Sequence, residues 1–147
     1  MKTLLYLALT LSVSNSLHAN DSLYFKLDSF KAPSYELKIT NGKGIILYYR
    51  GGLGLRDPES NWCVGEFGKI ELDLVMLTLK EEGVFNWEKK YINYNIKDGT
   101  MYQLFVETDG KRFTSIGINE FPENFDKLEK IMLAIESNMN CESRIDS

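Results

Sequence analysis

The sequence predicts an α+β domain: an antiparallel sheet of two β-hairpins plus an N-terminal strand, with two helices packed on one face. Three observations predict it. Tyr35, Leu37 and Ile39 alternate with Glu36, Lys38 and Thr40, meet a turn signal at Asn41-Gly42-Lys43-Gly44 and continue as the apolar run Ile45–Arg50. Met101–Glu107 and Arg112–Ile118 flank Asp109-Gly110 in the same manner, which is a second hairpin. Apolar residues at three- and four-residue steps then mark two helical stretches, one within 70–82 and one after Pro122.

The elements follow in chain order. Ser22–Leu27 (SLYFKL) is a short strand, and Pro33 breaks the chain behind it. After the first hairpin, Gly51–Gly65 (GGLGLRDPESNWCVG) reads as a loop because Gly, Pro, Asp, Ser and Asn recur through it. Gly52 and Gly54 make a G-x-G without the third glycine of a dinucleotide loop, so a wide turn is the better account. In Ile70–Glu82 two patterns compete. Ile70, Leu72 and Leu74 alternate, whereas Leu72, Val75, Met76 and Leu79 fit one helical face. The helical pattern runs longer and stops at Gly83, so a short strand or turn should enter a helix over about 71–82. The last helix carries Phe125, Leu128, Met132, Ile135 and Met139 on one stripe, widened by Ile131, with Asp126 and Lys130 paired at i, i+4.

The N-terminus has the order of a secretory signal. Lys2 is the positive end, Thr3–Val13 the apolar run, and Leu17-His18-Ala19 the small-residue exit. Residues 1–19 are read as a signal peptide that is removed, and residues 20–147 as a single α+β domain in the periplasm or secreted. No Cys stands at the cleavage point and no later segment is apolar enough to span a bilayer, so no membrane anchor is expected. His18, the chain's one histidine, leaves with the signal. That removes the commonest general base and metal ligand from the working protein. Neither a catalytic residue, a metal ligand nor a cofactor is nominated.

Without Lys2 the chain carries a net charge of about −5 and no block of Lys or Arg, which argues against nucleic acid as a partner. Its two cysteines, Cys63 and Cys141, read as one disulfide in an exported protein; two buried thiols are the alternative. The bridge would pin the last helix to the Gly51–Gly65 loop.

The stretches YELKITNGKGIILYYRGG, EEGVFNWEKKY, KDGTMYQLFVETDGKRF and FPENFDKLEKI follow one another over about residues 34–135. In that order the chain resembles an uncharacterised family of small exported bacterial domains, of the domain-of-unknown-function kind. The resemblance implies an α+β fold and carries no established activity or catalytic residue.

Two segments are candidate surfaces. Phe85–Gly99 (FNWEKKYINYNIKDG) interleaves Trp87, Tyr91 and Tyr94 with Asn86, Asn93 and Asn95, a mixture of rigid aromatic area and adaptable hydrogen bonding that protein-binding surfaces favour. The alternative for Trp87 and Tyr91 is a place in the core. Arg50–Gly65 holds Arg50, Arg56 and Trp62 beside the cysteine, where a tether would preserve a binding shape. Trp87, Tyr91, Tyr94, Trp62 and Arg56 are thus the nominated partner-binding residues. The carboxylates Glu81, Glu82, Glu88, Asp98 and Asp109 stand at helix ends and turns, without the paired setting that glycoside hydrolysis needs.

The expected function is an exported periplasmic protein-binding module, of inhibitor, immunity or accessory type, without catalytic activity. Its partner would be another envelope or secreted protein, and the chain a monomer or small homo-oligomer. An envelope glycan or small-ligand binding domain is the alternative, and a carboxylate-based hydrolase a lesser one.

Overall fold

A computed structural model describes residues 21–29, 34–50, 57–97 and 99–143. The predicted signal segment and Arg56 lie outside the described residues. Among the described residues eight strands form one sheet: β1 (Ser22–Ser29), β2 (Ser34–Thr40), β3 (Lys43–Arg50), β4 (Asp57–Glu66), β5 (Lys90–Ile92), β6 (Thr100–Thr108), β7 (Lys111–Ile118) and β8 (Asn140–Ser143). Two helices cover it, α1 (Lys69–Glu81) and α2 (Phe125–Ser137). The strand order is β5-β7-β6-β1-β2-β3-β4-β8. β1 lies in the middle and pairs antiparallel with β2 on one side and β6 on the other.

The expected antiparallel sheet of two hairpins plus an N-terminal strand is not what forms. The sheet is mixed, because β5 runs parallel to β7, with Lys90, Tyr91 and Ile92 opposite Ile116, Gly117 and Ile118. The link from β5 to β6 passes over the end of β7 to get there. Asn119 pins that link: its side-chain amide donates to the carbonyls of Asn93 and Ile96, and its backbone N–H to Thr100. Asn tolerates the left-handed backbone (φ 58°) that this corner requires.

The expected loop at Gly51–Gly65 is also corrected: from Asp57 onward it is strand β4, paired with β3 and, over Asn61–Val64, with β8. Its composition hid it. Pro58 is tolerated because β8 stops short of it, leaving that end of β4 without an outer neighbour among the described residues. The hairpin turns follow the turn chemistry of their residues. Asn41-Gly42 and Asp109-Gly110 all take positive φ, as a two-residue turn matched to strand twist requires.

One face of the sheet is the core. Leu23 and Phe25 of β1 stand beside Ile39 and Leu37 of β2 and beside Val106 and Leu104 of β6. Each of these is essentially buried. Leu72, Met76 and Leu79 of α1 and Leu128, Ile131, Met132 and Ile135 of α2 join the same cluster. α1 therefore uses the helical spacing rather than the alternation. Ile70 and Leu74, which only the alternation would have buried, are exposed. Burying a large aliphatic side chain is worth roughly 1.5–3 kcal/mol, so the helices are held by these contacts more than by their capping. Neither α1 nor α2 has a side-chain N-cap bond.

Candidate functional site

The aromatic segment after α1 divides between core and surface. Trp87 is 9% exposed, packs edge-on against Tyr102 at 6.2 Å, and donates its indole N–H to Asn124 Oδ1 at 2.7 Å. Asn124 in turn donates to the carbonyl of Glu82, tying the end of α1 to the start of α2. Tyr91, on β5, is half-buried, and its hydroxyl accepts the Glu88 N–H at 3.0 Å. Trp87 is thus part of the packed interior rather than a presented anchor, and Tyr91 is largely spent on holding its own loop. Tyr94 alone of the three stands clear, 81% exposed.

Beneath this segment Ser115 donates to the carbonyl of Glu88 at 2.8 Å. A hydroxyl has one proton, so Tyr102, 2.8 Å from Ser115 Oγ, must be the donor in that pair. Burial pushes the Tyr102 hydroxyl up to about 12, nearby Tyr91 adds to this, and the bond to Ser115 opposes it. Tyr35 and Tyr48 are raised further, first by burial. The carboxylates Glu129 and Glu136 act on Tyr35, and the hydrogen bond and charge of Glu136 on Tyr48. Near neutral pH all three are protonated, and Tyr48 donates to Glu136 and Tyr102 to Ser115.

On β4 the side chains alternate across the sheet. Cys63 points into the core and is bridged to Cys141, directly opposite on β8. The bridge therefore joins two neighbouring strands, not a helix to a loop. Trp62 and Val64 point the other way and are 41% and 42% exposed. Their cross-strand partners on β3 are Leu47 and Ile45, both part-exposed, so four large apolar side chains share this patch of the uncovered face. Glu136 is hydrogen-bonded by Tyr48 and lies with both sulfurs inside a 4.8 Å group, the sort of cluster that could ligate a metal. Both sulfurs are committed to the disulfide, which leaves one carboxylate as donor.

A second feature was not anticipated from the sequence. Between α1 and α2 lies a groove of about 440 Å³. Its walls are Leu74 and Val75 on α1, Ile131 and Ala134 on α2, and Phe67 in the turn before α1. Glu66 and Asn138 close one end, and the same two residues line the adjoining depression that reaches Ile45 and Val64. The groove and the Trp62 patch are thus neighbours around the Glu66 end of β4. The sequence signal beside it is a stripe separate from the buried one, Ile70, Leu74 and Leu77 at i, i+4, i+7, of which Leu74 lines the groove.

The fold and these surfaces define a disulfide-closed sheet domain with a helical cover and exposed apolar side chains at one end of β4. The chain matches no protein-family model and no curated protein. A disulfide is a feature of oxidising compartments. No helix among the described residues is long and apolar enough to cross a membrane.

Proposed function

We propose that the chain is an exported, non-catalytic binding module of the periplasm that docks on another protein, as an inhibitor, immunity-type or accessory factor. One observation carries this reading. Large apolar side chains are exposed on both sides of the β4 end, with Trp62 and Val64 on the sheet and Ile70, Leu74 and Leu77 along α1. Of these, Leu74 lines the groove and Val64 the depression beside it, and the two depressions meet at Glu66 and Asn138. Large apolar side chains left exposed in groups mark interaction sites more often than singly exposed ones do. Trp is among the residues that most often dominate a protein interface. Trp87 leaves the set of anchors, Trp62 stays in it, and Tyr94 stands as a separate exposed aromatic. Export rests on the N-terminal pattern and on the resemblance to small exported domains; the disulfide supports it.

The test is a comparative capture. The disulfide-bonded chain, its Trp62→Ala and Leu74→Asp variants, and Tyr94→Ala are each immobilised and exposed to envelope and secreted extracts. A stoichiometric protein retained by the parent and Tyr94→Ala, but lost from either of the other two, is the expected result. A partner lost only with Tyr94→Ala would move the site to the Asn93–Gly99 link. Trp62 fluorescence quenched by cell-wall fragments, with no protein retained, would replace this reading with glycan binding.

A further inference from the structure

We infer that the groove between α1 and α2 receives an amphipathic helix of the partner protein, one whose apolar face is flanked by Lys or Arg. This rests on the protein-docking reading above and specifies the chemistry of the occupant.

Shape comes first. A helix packs on a helical layer by setting its side chains between two ridges. On α1 only Leu74 of the exposed leucine and isoleucine stripe lines the groove, facing Ile131 and Ala134 of α2; Ile70 and Leu77 stand exposed one turn to either side of it, outside the lining. The stripe continues on the same line to Glu81, about 16 Å from Ile70 at helical rise, which is the contact length of a helix of about three turns. A third helix laid there would cover the apolar side chains that α1 now leaves open. Those residues sit at i, i+4, i+7, the spacing of one helix against another.

Charge selects the flanks. The groove lining includes two carboxylates, Glu66 and Glu71, and no Lys or Arg. Glu81 extends the acidic line beyond Leu77. Lys69 at the start of α1 is held by Asp73 at 2.8 Å, and Lys127 of α2 by Glu82 at 3.8 Å. An acidic-flanked helix would meet two like charges in the groove, whereas a basic one meets complementary charge that steers and orients it.

The experiment uses a fluorescently labelled synthetic helix of about 18 residues, long enough to hold its structure, with Leu on one face and Lys and Ala elsewhere. A second peptide replaces every Lys by Glu. Both are titrated into the disulfide-bonded chain and its variants by anisotropy, at low and at physiological salt. The Lys peptide should bind saturably. Leu74→Asp and Ala134→Glu should weaken it about tenfold or more. Both positions are exposed, so the fold should tolerate the change. Leu133→Asp alters an exposed leucine of α2 that does not line the groove, and should leave binding unchanged. Glu66→Gln with Glu71→Gln should weaken the Lys peptide severalfold and remove much of its salt dependence.

Equal binding to Leu74→Asp and Leu133→Asp, or none to the parent, overturns the groove. Equal affinity for the Glu peptide overturns the charge assignment. Sedimentation of the chain alone adds a third outcome: a dimer abolished by Leu74→Asp would make the occupant a second copy and overturn the proposal. If a captured partner depends on Trp62 but not on Leu74, the docking reading stands and only this inference fails.

Discussion

Asn124 joins two groups that the core would otherwise leave unpaired. Its oxygen takes the Trp87 indole N–H, and its nitrogen reaches the last carbonyls of α1 at Glu82. Asn124→Ala should therefore cost about 1–3 kcal/mol of unfolding free energy, measured by urea denaturation, since both partners lose a bond in a part-buried place. Tyr94→Ala, made as a comparison, should stay within about 0.5 kcal/mol, because nothing holds an exposed ring. Equal losses in the two would mean that Asn124 is not the brace its bonds describe. The buried tyrosines make a separate prediction about pH. Their folded-state values lie above the ordinary value of 10, with Tyr102 at about 12. The unfolded chain therefore gives up these protons first as pH rises. Their contribution to stability is whole below pH 10 and is lost as pH climbs through about 12. Unfolding free energy should fall over that window, and more gently in Tyr102→Phe. An unchanged slope in that variant would dismiss Tyr102 as a contributor.

At the level of elements, strand β8 depends on its bridge. It pairs with β4 over only four residues and, among the described residues, has no further neighbour. Cys63 and Cys141 are 78 positions apart, and closing so long a loop is worth roughly 4–5 kcal/mol in chain-entropy arithmetic, with measured values often lower. The double variant Cys63→Ser/Cys141→Ser should lose about 2–5 kcal/mol in urea. Amide exchange should accelerate first in Asn140–Ser143, before the central strands. If the central strands loosen as early, the bridge guards the whole sheet rather than this edge. The elements also differ in how far their residues announce them. β2–β3 and β6–β7 are legible because alternation and a turn signal lie together in one short stretch. α2 is legible because its stripe repeats without a competing period. β4 is not, since Gly, Pro and Asn dominate its local composition and only its pairing with β3 and β8 makes it a strand. β5 and β8 are three and four residues long, too short for any period. Among the nominated surface residues, Trp62 and Tyr94 are indeed exposed, whereas Trp87 looks the same in sequence and is buried. The difference comes from Asn124 and Tyr102, which lie 37 and 15 positions away.

Across the whole molecule, β1 is the seam between two wings. β2, β3, β4 and β8 extend from one side of it, and β6, β7 and β5 from the other. The pairing of β1 with β6 brings Ser22 opposite Glu107, so the two wings can join only after a long loop has closed. No sequence period reports such a contact, which is why the wings are readable as separate hairpins and their union is not. The same topology dictates where stability should concentrate. Strands with neighbours on both sides and a covered inner face open only when the fold opens, whereas edge strands can fray on their own. Native-state hydrogen exchange should be slowest at the buried positions of β1, β2 and β6, around Phe25, Leu37 and Leu104, and should report the global unfolding free energy there. It should be fastest in β5, in β8 and in the Asn93–Gly99 link. Because the slow core depends on pairing residues far apart in sequence, refolding of the disulfide-intact chain should take milliseconds to seconds rather than microseconds. A chain in which β5 and β8 exchange as slowly as β1 would have no seam, and its two wings would stand or fall as one cooperative unit.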